Sequence, residues 1–211
     1  MTDFTKINQK NNLKGMTLVE AIVAIFIFSI VILVITNFTV RLYQTHGYTI
    51  AQAQQVDFAS RGVNYIIRDI REMTYADDGA YPLVIADEHK IGFYSDIDRD
   101  RSVEYVEYEL VGTGSTTLEK RIYNAAGSPV VYDYSNPDET LIISEYVQNT
   151  SFATSTFVYF DGEGNMAVPT TTISDIRYIQ FSIIINIDLV RDPGQYMLRS
   201  SAALRNLKDN L

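Results

Sequence analysis

Glu20 is the only ionisable side chain between Met16 and Arg41. A carboxylate left in an apolar stretch costs on the order of 3 kcal/mol or more in a membrane, so such a residue calls for a partner and a role. A second group of carboxylates lies further on. Asp96, Asp98 and Asp100 alternate, and Ser102, Glu104 and Glu107 follow at the seventh, ninth and twelfth places of an EF-hand-like loop. Oxygen ligands at that spacing suit Ca²⁺, with Asp96, Asp98, Asp100 and Glu107 as the ligand set. Against this, Arg101 stands where the sharp turn needs Gly, and Glu107 falls where a strand should already run. A hairpin tip of solvated carboxylates is the favoured reading.

Catalytic chemistry finds little to work with. His46 and His89 are the only histidines, the first on a helical stretch and the second in the polar run Asp87-Glu88-His89-Lys90. No nucleophile elbow, P-loop or paired-histidine zinc motif occurs. Gly112-Thr113-Gly114 reads as a turn, and Asn149-Thr150-Ser151 as loop chemistry. The expectation is that the chain is not an enzyme and requires no cofactor.

The element that must position Glu20 is an apolar run over residues 21–40, interrupted only by Ser29, Thr36, Asn37 and Thr39. At about 1.5 Å per residue it would cross a bilayer's hydrocarbon core. Apolar side chains cover every face, which excludes a surface helix of a soluble domain. Residues 1–15 carry Lys6, Lys10 and Lys14 against Asp3, a net of +2, so the rest must be −11 to give the total of −9. Basic residues beside the first span favour a cytoplasmic amino terminus and an acidic body outside. The run passes into Arg41-Leu42-Tyr43-Gln44 with no small-residue cleavage site, so the helix is retained rather than removed as a secretory signal.

Beyond the span the helix continues. Val56, Ala59, Val63, Ile66, Ile67, Ile70 and Met73 recur at helical spacing, with Gln52, Asp57, Arg61, Asn64, Arg68 and Arg71 on the other face. Gly47 and Gly62 are candidate bends, and residues 75–79 end the helix before Pro82. The remainder reads as strands over 91–94, 103–110, 118–123, 141–147, 152–160, 166–168 and 179–189, with a hairpin turn at 161–165. In the last of these strands Ile179, Phe181, Ile183, Ile185, Ile187 and Leu189 alternate with mostly polar residues. The fold class is α+β: a long amino-terminal hydrophobic helix packed on an antiparallel β-rich head. Fifteen Tyr, no Trp and no Cys suit a β-rich exported domain without disulfides. Its acidity argues against direct nucleic-acid binding.

Lys14-Gly15-Met16-Thr17-Leu18-Val19-Glu20, followed at once by the apolar run, resembles the prepilin cleavage and methylation signal of type IV pilins and type II secretion pseudopilins. The resemblance implies that a membrane-embedded prepilin peptidase cuts between Gly15 and Met16 and methylates the new amine of Met16. Glu20 becomes the fifth residue, placed to pair with the Met16 amine of a neighbouring subunit. The family most often has Phe where this chain has Met16. Four parts follow: a cleaved cytoplasmic leader (1–15), a membrane or filament-core helix (16–40), a helical continuation on the head (41–75) and a β-rich head (76–211).

Weaker signs point to a subgroup. Arg68-Asp69, Phe93-Tyr94-Ser95-Asp96, Tyr105-Val106-Glu107-Tyr108 and Leu204-Arg205-Asn206 resemble, in their order, PilW-like minor pilins and J-type pseudopilins. The expectation is a minor pilin or pseudopilin in the inner membrane, assembled with other pilin subunits into a type IV pilus or type II secretion pseudopilus. The alternative is a bitopic anchored protein whose outer domain binds a ligand or hydrolyses a polymer and joins no filament.

Overall fold

No proline interrupts the chain between Gly15 and Pro82, and a single helix, α1 (Leu18–Arg71), occupies most of that stretch. A computed structural model describes residues 15–113, 116–167, 173–187 and 194–204. The chain divides into two units between Gly47 and Tyr48. In the first, the apolar side chains of α1 are exposed, and the helix is long and apolar enough to cross a membrane. In the second, the remainder of α1 packs against an antiparallel sheet.

The sheet contains β1 (Leu83–Ala86), β2 (Lys90–Ser95), β3 (Glu104–Val111), β4 (Thr116–Tyr123), β7 (Glu139–Val147), β9 (Tyr178–Ile185) and β10 (Tyr196–Ala203) in the spatial order 1-2-3-4-7-9-10. β8 (Phe157–Phe160) pairs with β9 beside β7. The short β5 (Ala125–Ala126) and β6 (Val131–Tyr132) form a separate ribbon. All pairings are antiparallel, as the turn-punctuated sequence leads one to expect.

Alternation along the strands sorts residues onto two faces. Ile91, Phe93, Val106, Tyr108 and Leu118 face α1, meeting Ala59, Val63, Ile66, Ile67 and Ile70 in one core. On the opposite face Tyr94, Tyr105, Tyr123 and Tyr132 form a second, aromatic cluster with Val103 and Ala76. Gly62 is a packing position, since a Cβ there would lie 3.2 Å from Ile183 Cδ1.

Several expectations shift. The helix ends at Arg71 rather than at residue 75, because Met73 bridges to Ser95 and Thr74 N donates to Tyr94 O (3.0 Å), drawing the chain into the sheet. Val56 is exposed, and Gln55 and Asp69 are buried in its place. The strand expected at 152–160 starts only at Phe157, since Phe152, Ala153 and Thr154 turn back onto residues 148–150. β9 ends at Ile185; Asp188 and Leu189 lie outside the described residues, as does Val168. β9 is buried on both faces, and Ser182 and Ile184 are as buried as Ile183. β1, β5, β6 and β10 have no counterpart in the sequence reading.

Candidate functional site

The start of α1 is a capping box. Thr17 precedes the first helical residue, and its Oγ1 accepts from Glu20 N (3.3 Å). Glu20 Oε2 reaches back to accept from Thr17 N (2.8 Å) and from Thr17 Oγ1 (3.0 Å). Amides that a helix start leaves without partners are thereby satisfied, and a negative group sits at the positive end of the helix dipole. The Thr17-Leu18-Val19-Glu20 spacing carries this signal, yet the sequence reading singled out Glu20 and not Thr17. Gly15 and Met16, both exposed, precede the cap. Lys14 and the residues before it lie outside the described residues.

The polar side chains within the apolar run are satisfied by the helix itself. Ser29 Oγ donates to Ile25 O (2.8 Å), Thr36 Oγ1 to Ile32 O (2.9 Å), Asn37 Nδ2 to Leu33 O (2.9 Å) and Thr39 Oγ1 to Ile35 O (2.9 Å). Each bond returns one turn, so these groups present little demand to lipid or to a neighbouring helix. Glu20 is left as the one charge of this surface.

The acidic loop arranges its carboxylates differently from the expected ligand set. Oxygens of Asp96, Asp98 and Glu104 lie within 4.8 Å of one another. Asp100 instead caps Ser102 N (2.7 Å), Asp98 caps Asp100 N (3.1 Å), and Asp96 caps Arg99 N (2.7 Å). Arg101 adopts φ 82°, the left-handed turn for which the ligand loop would want Gly. Glu107 is not part of this group: it sits on the outer face of β3, 2.9 Å from Lys90 Nζ and 3.1 Å from Arg121 Nη1. Strand alternation and two cations hold it there. Glu104, which the reading left out of the ligand set, is buried and accepts from Ile97 N (3.0 Å). Burial, with Asp98, Asp100 and Asp96 nearby, pushes its carboxyl up to about 7.

His46 lies exposed on α1, and His89 Nδ1 is 2.9 Å from Thr156 Oγ1. Of the weaker signs, Asp69, Phe93, Ser95 and Tyr108 converge beneath α1, whereas Tyr94 and Tyr105 belong to the aromatic cluster on the other face. Leu204 is buried; Arg205 and Asn206 lie outside the described residues.

A helix long and apolar enough to cross a membrane opens on a capped carboxylate, and the chain's other unit is an α+β head. Residues 10–36 match the family described as the prokaryotic N-terminal methylation motif, so the chain carries a type IV pilin-like prepilin signal. No curated protein and no solved structure matches the chain.

Proposed function

We propose that the protein is a minor pilin or pseudopilin: a structural subunit, not an enzyme, cut between Gly15 and Met16 and methylated on the Met16 amine. Helix 16–40 holds it in the cytoplasmic membrane, leader inside and head outside, until it joins other pilin subunits in a type IV pilus or type II secretion pseudopilus. The observation that carries this reading is the methylation motif running into an apolar helical segment, residues 16–40, whose single charge is Glu20. Cutting at Gly15 frees an α-amine four residues before that carboxylate. In lipid, Glu20 is satisfied by Thr17. In a filament core the Met16 amine of a neighbour supplies a full positive charge, and that pair sets the axial register while the apolar surface supplies the packing. The 96–102 loop is read as a self-capped hairpin tip, a reading supported by the three backbone amides that its aspartates cap.

Mass spectrometry of the chain from cells with an active prepilin peptidase tests the reading. The expected product begins at Met16 and carries a methyl group there. A chain with residue 1 intact overturns it. Glu20→Ala is expected to leave membrane insertion intact and to remove the subunit from purified filaments.

A further inference from the structure

Lys120 is the only buried amine among the described residues, and the filament reading makes no use of it. It stands on β4 between Leu118 and Ile122, which point to the same side of the strand and are themselves buried. Its Nζ is 2.6 Å from Asp69 Oδ2, and the two side chains are 3% and 0% exposed. The two oxygens of Asp69 are not equivalent. Oδ2 accepts from Lys120 Nζ and from Tyr108 Oη (2.7 Å), whereas Oδ1 accepts from Arg68 Nε (3.1 Å). Lys120 Nζ also lies over the Tyr108 ring, 5.8 Å from its centroid. Burial, with the Asp69 carboxylate beside it, pushes the Tyr108 phenol well up, so Tyr108 keeps its proton. An amine, a carboxyl group and a proton relay therefore meet inside the head, with a guanidinium on the second carboxyl oxygen.

We infer that Lys120 and Asp69 condense to an isopeptide bond, joining β4 to α1 covalently. The inference rests on the head alone and holds whether or not the chain enters a filament. Transfer of one Nζ proton to Oδ2 turns the ion pair into an amine and a carboxylic acid, a change that burial favours. The Nζ lone pair then adds to Cγ, and negative charge collects on Oδ1, where Arg68 donates. Tyr108 gives its proton to Oδ2 and takes one from Nζ, so the Cγ–Oδ2 bond breaks and Oδ2 leaves as water. One amine and one acid give one amide and one water, and Tyr108 is regenerated. In water such a pair stays ionic, since both ions are solvated and free to part. Packing instead holds these groups together at an effective concentration on the order of 10⁵ M or more. The freshly folded chain carries the ion pair, and linking follows with time.

Peptide mapping of the full-length chain tests this. The chain is incubated folded in detergent at neutral pH, then denatured and digested with trypsin, and its peptides are weighed by mass spectrometry. The expected product joins Asp69-Ile70-Arg71 to residues 102–121 with Lys120 uncut, lighter by one water than the sum of the two peptides. Lys120→Arg is expected to abolish it, and Tyr108→Phe to slow its formation about a hundredfold. Separate peptides alone, after long incubation of the folded parent chain, overturn the inference. A link that forms as fast in urea overturns it too, as does one indifferent to Tyr108→Phe in a variant that circular dichroism shows to be folded. If Tyr108→Phe does not fold, the folded and urea-unfolded parent chains decide the matter by themselves.

Discussion

Lys120 Nζ lies 2.6 Å from Asp69 Oδ2, and both side chains are at least 97% buried. The pair ties β4 to α1 across 51 residues of sequence. Tyr108 Oη donates to the same oxygen (2.7 Å), and Arg68 Nε donates to Oδ1 (3.1 Å). Carrying two charges into the core costs free energy that this geometry offsets, so the pair fixes how α1 sits on the sheet more than it adds net stability. Lys120→Met leaves Asp69 short of its main counter-charge and is expected to destabilise the head by about 3 kcal/mol. Asp69→Leu combined with Lys120→Met is expected to recover most of that loss. Urea unfolding of the full chain in detergent, followed by tyrosine near-ultraviolet circular dichroism, measures both. Equal losses in the single and double variants would refute the coupling.

That network shows where the sequence stops being legible. Apolar spacing marked Ala59, Val63, Ile66, Ile67 and Ile70, and these form the helix side of the core. The same rule counts Asp69 as a break in the stripe, because only the distant Lys120 and Tyr108 make its burial tolerable. β3 and β4 were readable as β-prone runs between turn signals, and β9 by the alternation of Ile179, Phe181, Ile183 and Ile185. In β10, Arg199, Ser200 and Ser201 interrupt the apolar pattern, and its partner β9 supplies the pairing that local sequence does not announce. The Thr17–Glu20 cap lies within one turn, so its spacing carries the signal, but only Glu20 was singled out from it. The grouping of Asp96 and Asp98 with Glu104, and not with Glu107, depended on which strand face each residue occupies.

Glu104 makes the head sensitive to pH. Its carboxyl is held at about 7 in the folded chain, against 4.5 when unfolded, chiefly by burial. A raised value means that the folded state binds the proton more tightly. The contribution is therefore fully present below pH 4.5 and is lost as pH rises through 7. From pH 5 to pH 8 this group is expected to remove on the order of 1–2 kcal/mol. Glu104→Gln keeps an acceptor for Ile97 N and has no charge to bury. The variant should be the more stable protein at pH 8 and equal to the parent near pH 5. Melting curves at the two pH values decide it, and parallel pH profiles would rule out the assignment.

Asn149 completes the edge of β9 in the gap between β7 and β8. Its Oδ1 accepts from Ile184 N (2.8 Å) and its Nδ2 donates to Ser182 O (2.8 Å), so one side-chain amide takes the place of a paired strand residue. The side chain is fully buried, which also leaves no room for glycosylation at this position. Asn149→Ala strands a donor and an acceptor inside the head, and about 2–4 kcal/mol of stability should be lost. Amide exchange at Ile184 is expected to accelerate in step with that loss. Unchanged protection at Ile184 would show that water or a neighbouring group replaces the amide.

Gly92 is the position where the aromatic cluster meets the backbone. A Cβ placed there would collide with Tyr105 Oη and lie 2.9 Å from its Cζ. The Tyr105 ring cannot swing aside, because Tyr94, Tyr123 and Tyr134 surround it with centroids at 5.4, 5.5 and 4.9 Å. Gly92→Ala should therefore overpack the cluster and cost about 1–3 kcal/mol. Tyr105→Phe removes the nearest atom and leaves the 2.9 Å contact, so Gly92→Ala with Tyr105→Phe is expected to regain part of the loss, not all of it. The non-additivity, read from the urea midpoints of the two single variants and the double variant, is the measurement that counts. Additive losses would mean that Tyr105 does not occupy the space above Gly92.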